Sequence, residues 1–139
     1  MKSPQILIVE DDDGIRDACR EILEAEEFSV ETCTNGKEAL AILDAHPEPC
    51  LILLDMMMPI MNGREFMAAF AKRPHTIVPI PVYLVSASSG SSAGKEMGCL
   101  GYLKKPFNIE VLLLIVRTHC ETNKNQHCQV IEGQAPKVA

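Results

Sequence analysis

Short β-rich runs alternate along the chain with stretches of helical period. Ile6-Leu7-Ile8-Val9, Phe28 to Cys33, Leu51 to Leu54, Ile80 to Val85 and Gly101-Tyr102-Leu103 read as strands, and apolar runs this dense are what strands covered on both faces require. Strands alternating with helices predict a parallel sheet sandwiched between helical layers. Between the first two strands Ile15, Ala18, Cys19, Ile22 and Leu23 recur at helical spacing, with Arg16, Asp17, Arg20, Glu21 and Glu24 on the other side. That is the pattern of a surface helix with one buried stripe. A second helix is expected from Gly36 to Ala45, stopped by Pro47, and a third after Asn62, a good N-cap, burying Phe66, Met67 and Phe70. A last helix follows Pro106 with Asn108 as its cap. From Ser86 to Gly98, where a fourth crossover helix belongs, serines and glycines dominate, and these poor helix formers predict a short or mobile helix. After about Glu121 the chain turns polar, so the expected organisation is one domain over residues 1–122 and a flexible polar tail over 123–139.

Composition narrows the function classes. The chain has 139 residues and a formal net charge of -6, and ten of its 19 acids fall between Glu10 and Glu31. A nucleic-acid interface needs a basic face, so that partner is excluded. No apolar stretch approaches the roughly 20 residues that span a bilayer, and Lys2-Ser3-Pro4-Gln5 lacks the apolar core of a signal peptide. A soluble cytoplasmic protein with no membrane partner is expected. The six cysteines, Cys19, Cys33, Cys50, Cys99, Cys120 and Cys128, share no repeated spacing and are expected to be reduced, several of them serving as small core residues.

In an open parallel α/β sheet, function gathers at the carboxyl ends of the strands. Glu10 and Asp11 follow the first predicted strand and Asp55 ends the third. Three carboxylates brought together from neighbouring strands repel one another unless a cation joins them. The cation suited to such a set is hard and oxygen-loving, Mg²⁺ or Mn²⁺. Ser86 ends the fourth strand with a hydroxyl, and Lys105 follows the fifth with an ammonium that suits a phosphoryl oxygen. Converging on one spot, these groups can neutralise a phosphoryl group in transfer to a carboxylate oxygen of Asp55.

The runs Ile6-Leu-Ile-Val-Glu-Asp-Asp-Asp-Gly-Ile-Arg16, Leu51-Ile-Leu-Leu-Asp-Met-Met-Met-Pro-Ile-Met-Asn-Gly63, Ser86-Ala87 and Tyr102-Leu-Lys-Lys-Pro-Phe107 resemble the receiver domain of two-component response regulators, from about Gln5 to His119. The resemblance implies a flavodoxin-like α/β/α sandwich with a five-stranded parallel sheet in the order 2-1-3-4-5. It implies that Asp55 accepts phosphate from a sensor histidine kinase or a phosphotransfer protein, and that Glu10, Asp11, Asp55 and the backbone carbonyl of Met57 hold the metal. Ser86 would be the switch hydroxyl, Tyr102 the aromatic switch residue and Lys105 the phosphate sensor, with a cis peptide before Pro106. The protein would be a signalling switch rather than an enzyme on other substrates. It would act without an attached output domain, and a downstream protein would read its changed face.

This sequence departs from the family pattern in places. The Gly/Ser-rich stretch between Ser86 and Lys105 is shorter than the resemblance leads one to expect, so helix four is the element most altered. Serine at position 86 keeps the hydroxyl of the commoner threonine and drops its methyl group. Met57 and Ser88 stand where family members control the access of water to the acyl phosphate, and a bulky apolar Met57 predicts slow self-dephosphorylation.

Simpler readings apply to other residues. Asp12 and Asp13 suit the start of a helix, with Asp12 a candidate neighbour of the metal's ligands, and Lys104 reads as a solvated neighbour of Lys105. Met56, Met57 and Met58 straddle a strand end and read as core and loop rather than soft metal ligands. His119-Cys120 and His127-Cys128 fit no common zinc spacing. Val111 to Val116 is apolar throughout, more than one buried stripe needs, which predicts phosphorylation-linked homodimerisation through the last helix. Three rival readings stand beside the switch. A haloacid dehalogenase-like phosphatase would want a second acid at position 57. An FMN module would want a Ser/Thr/Gly cradle after the first strand. A degenerate receiver would serve only for docking.

Overall fold

The structure is a computed structural model that describes residues 5–73, 79–87 and 91–120. Its elements in chain order are β1 (Ile6–Val9), α1 (Asp13–Ala25), β2 (Val30–Cys33), α2 (Gly36–Ala45), β3 (Leu51–Asp55), α3 (Gly63–Ala71), β4 (Val82–Ser86), α4 (Ser91–Met97), β5 (Gly101–Lys104) and α5 (Ile109–His119). The sheet is parallel throughout with the order β2-β1-β3-β4-β5, which is the flavodoxin-like arrangement expected from the sequence.

Alternation along the strands divides the core in two. Leu7, Val9, Ile52, Leu54 and Leu84 face one side, where they pack with Ala39 and Leu43 of α2 and Phe66 and Met67 of α3. Ile6, Ile8, Leu51, Leu53 and Val85 face the other, against Cys19 and Leu23 of α1 and Leu112 and Val116 of α5. Strands wanted by both layers are apolar at successive positions, and this is why they stood out in the sequence. Replacing Leu54, which is 0% exposed, by alanine would cost about 2–5 kcal/mol.

Two strands start later than the sequence reading has them. β2 begins at Val30 rather than Phe28, because the chain turns at Glu27 with φ 69 and the Phe28 N–H donates back to the Leu23 carbonyl at 3.1 Å. β4 begins at Val82 rather than Ile80, because Ile80 lies between Pro79 and Pro81, which have no N–H to give to a ladder. The caps expected at Asn62 and Asn108 form on α3 and α5, Asn62 with Glu65 completes a capping box, and Asn35 caps α2 although the sequence reading did not single it out. Phe70 is only partly buried, stacked on Phe66. Helix α4 is short, at seven residues. Residues 88–90, with Ser88, and residues 121–139, with His127, Cys128 and the expected tail, lie outside the described residues. Among the described residues no helix is long and apolar enough to cross a membrane.

The reduced state expected for the cysteines holds for Cys19, Cys33 and Cys99, which are free and buried. It fails for Cys50 and Cys120, which form a disulfide with Cα atoms 5.6 Å apart across a sequence separation of 70. Packing of the end of α5 beside the start of β3 brings the two together, and no local spacing could announce that. So engaged, Cys120 offers no thiolate to a zinc ion in this structure.

Candidate functional site

β1 and β3 pair in register with Val9 beside Leu54, so the residues that come next, Glu10 and Asp55, reach the sheet edge side by side. The apolar strands deliver both carboxylates into the protein rather than into water: Glu10 is 3% exposed and Asp55 6%. Asp11 is exposed at the mouth. One carboxylate oxygen from each of Glu10, Asp11 and Asp55 lies within 4.8 Å of the others.

Lys105 supplies a positive charge from the far side. Its Nζ stands 2.6 Å from Glu10 Oε1 and 3.3 Å from Asp55 Oδ1. The Lys105 N–H donates to the Ser86 carbonyl at 3.0 Å, and the peptide between Lys105 and Pro106 is cis, as the resemblance implied. The Tyr102 hydroxyl donates to the same Ser86 carbonyl at 3.2 Å. Ser86 is buried and follows Val85, the register partner of Asp55. One carbonyl therefore ties the end of β4 to both Tyr102 and Lys105. Lys104 is exposed, as expected.

The electrostatics leave this pocket short of positive charge. Burial, and after it the charge of Glu10, push the Asp55 carboxyl up to about 7 against the opposing pull of Lys105. Burial works against the Lys105 ammonium too, but its hydrogen bond to Glu10 and the charges of Asp55 and Glu10 outweigh it and raise its pKa. A group of hard oxygen donors with surplus negative charge fits Mg²⁺ or Mn²⁺ and suits soft metals poorly.

The surrounding backbone holds this arrangement in place. The Asp12 side chain caps α1 by accepting from the Ile15 N–H at 2.9 Å, while the Asp12 N–H donates to Glu10 Oε2 at 3.1 Å. Arg16, placed by periodicity on the exposed side of α1, instead folds back. Its Nη1 donates to the carbonyls of Glu10 at 3.0 Å and Asp11 at 3.4 Å, and its other nitrogen pairs with Asp13. Its place in the first turn of the helix that follows the acids is the only hint the sequence offers.

After Asp55, Met56 and Met58 turn inward and Met57 is 70% exposed, which agrees with core and loop roles. The Gly63 N–H donates to the Met56 carbonyl at 2.8 Å, and a Cβ at Gly63 would lie 2.6 Å from the Asp55 carbonyl oxygen. Only glycine lets α3 start this close to the strand end. Ile60, a β-branched residue, is held at φ 67, a conformation that costs energy.

A family model described as the response regulator receiver domain matches residues 6–117. The response regulator SaeR of Staphylococcus aureus is 32% identical over 129 residues, covering 91% of this chain and 55% of that protein. The chain spans about half the length of the curated relatives it matches. Among solved structures, the chemotaxis response regulator CheY4 of Vibrio cholerae is similar with a TM-score of 0.72 at 30% identity, over 86% of this chain and 100% of that one. The receiver domain of the Francisella response regulator 1452 gives a TM-score of 0.72 at 28% identity, over 82% of this chain and 93% of that one.

Proposed function

The chain belongs to the response regulator receiver family, and on that premise we propose that it accepts a phosphoryl group on Asp55 from a histidine kinase or phosphotransfer protein. Receiver domains are signalling switches. The observation that carries the reading is the buried Asp55 carboxylate, grouped with Glu10 and Asp11 and approached by Lys105 Nζ at 3.3 Å. In the transfer an oxygen of Asp55 attacks phosphorus, the bond from phosphorus to the donor's imidazole nitrogen breaks, and the imidazole departs with the electron pair. The Lys105 ammonium and the Ser86 hydroxyl are the groups suited to pair with the phosphoryl oxygens. Glu10, Asp11, Asp55 and the Met57 carbonyl are the groups that would hold Mg²⁺ or Mn²⁺, which would supply the further positive charge that a phosphoryl group needs there.

The output is a change of surface. Ser86 and Tyr102 already share a hydrogen bond, so a Ser86 drawn toward the phosphoryl group alters what Tyr102 packs against, and a downstream protein reads the difference. Residues 1–122 form the receiver unit in this reading, with 123–139 as a tail. Exposed Val111 and Leu114 on α5, at 43% and 66% exposure, support homodimerisation of the phosphorylated form. Equal sedimentation with and without beryllofluoride would count against it. Met57 at the mouth screens water, so the acyl phosphate hydrolyses slowly, and a half-life of seconds in Mg²⁺ buffer would contradict that. The phosphatase alternative wants an acid where Met57 stands.

Incubation with acetyl phosphate and Mg²⁺ tests the main reading by intact mass. The native protein gains one phosphoryl group, whereas Asp55→Asn, or the native protein in chelator, gains none. Equal labelling of Asp55→Asn would overturn the assignment.

A further inference from the structure

At the amino edge of the sheet, away from the carboxylates, an open cavity is lined by Glu48, Cys50, Ile80, Leu100 and His119 among others. The two bonded sulfurs differ in access. Cys50 is half-buried and lines the cavity, whereas Cys120 is 4% exposed and packs in the core with Leu112 and Val116. Their Cα atoms, 5.6 Å apart, stand at the usual separation for a disulfide. The other described cysteines are poor redox groups: burial pushes the thiols of Cys19, Cys33 and Cys99 up to about 11, 12 and 11, and the thiolate is the reactive form. Among the described residues, thiol chemistry is thus confined to one pair with one approachable sulfur.

We infer that Cys50–Cys120 is a reversible thiol–disulfide site, exchanging with a low-molecular-weight thiol and its disulfide, whose oxidation state sets how firmly the end of α5 is tied to the start of β3. In the reducing direction a small thiolate attacks Cys50 Sγ from the cavity. The bond between the sulfurs breaks, and its electron pair leaves on Cys120 Sγ, which takes up a proton. A second small thiolate then attacks the small-molecule sulfur of the mixed disulfide. Cys50 is released as a thiolate and is protonated, and the two small thiols leave as one disulfide. Two electrons and two protons have passed to the protein pair, and oxidation is the same sequence reversed.

The consequence follows from where the bond lies. A crosslink across a sequence separation of 70 restricts the unfolded chain strongly. Without it, the last turn of α5 keeps the Tyr83 to His119 hydrogen bond at 3.0 Å, the Cys120 N–H to Val116 carbonyl bond at 2.7 Å and its core packing. The reduced protein therefore stays folded and is less stable.

The test equilibrates the whole protein in glutathione buffers of graded ratio, then alkylates it, maps the peptides and measures Tm. Oxidised protein should yield a peptide joining Cys50 to Cys120. Reduced protein should show Cys50 alkylated while still folded and Cys120, like Cys19, Cys33 and Cys99, alkylated only after denaturation, and Tm should fall by about 10 °C. Cys50→Ser should hold the lower Tm in every buffer, and it decides the matter if Cys120→Ser, at a buried site, fails to fold. Cys128→Ser, which removes a rival thiol outside the described residues, should behave as the native protein. A Tm that does not change with the buffer, a disulfide to another cysteine, or loss of the response in Cys128→Ser would overturn the proposal.

Discussion

At the carboxyl edge of the sheet, Glu10, Asp55 and Lys105 are packed together with their charges in contact, and Asp11 adds another acid at the mouth. At the amino edge the polar groups are matched without surplus charge. Gln5 and Ser29 exchange backbone and side-chain hydrogen bonds at 2.9 to 3.1 Å, and Tyr83 meets a His119 whose pKa burial lowers. The same buried strands run between the two. One end thus holds a strained Ile60 and unrelieved negative charge, which an added cation can ease, and the polar groups named at the other end are already paired. A site that is to respond to a ligand cannot be fully satisfied without it, and the anchoring end can be.

Breaking that contrast should cost most at Lys105. Lys105→Met leaves Glu10 and Asp55 buried without their cation, and urea unfolding in chelator should show a loss of about 3 kcal/mol, part of which Mg²⁺ restores. Unchanged stability would mean the carboxylates hold no conflict. Next in size, Asp55→Asn should stabilise the metal-free protein by about 2 kcal/mol at pH 8. The sign follows from a carboxyl raised from 3.8 to about 7 in the folded state. Its contribution to stability is present below about pH 4 and lost as pH rises through 7. The advantage of asparagine should therefore grow across that window, and a flat difference would refute the cause given.

At the amino edge, Tyr83→Phe should cost about 1 kcal/mol and leave phosphorylation and Mg²⁺ affinity unchanged. Because the folded His119 pKa is lowered, that histidine's contribution is present above its unfolded value and fades as pH falls below it. The smallest change belongs to Ile60→Gly. Relief at φ 67, less the entropy glycine adds to the unfolded chain, should stabilise by about 0.5 kcal/mol. A loss instead would show that the loop is not strained.

Much of this was legible in the chain. The strands stood out because both faces are buried, and the caps at Asn62 and Asn108 are chosen by local chemistry. Glu10, Asp11, Asp55 and Lys105 could be placed together because topology sends strand ends to one edge. What escaped depends on tertiary packing. Periodicity put Arg16 in solvent and could not foresee its reach to the carbonyls of Glu10 and Asp11. The direct ion pair between Glu10 and Lys105 was not foreseen either, because strand order alone does not say how near the two side chains come. Cys50 and Cys120 meet only once α5 has docked.

A crystal structure of the protein with Mg²⁺ and beryllofluoride tests the central claim most directly. Beryllofluoride should be bonded to an Asp55 carboxylate oxygen, with a fluorine on Lys105 Nζ and another on the Ser86 hydroxyl, and Mg²⁺ should sit among Glu10, Asp11, Asp55 and the Met57 carbonyl. Crystals with Asp55 unmodified, or with the cation bound away from these carboxylates, would contradict it.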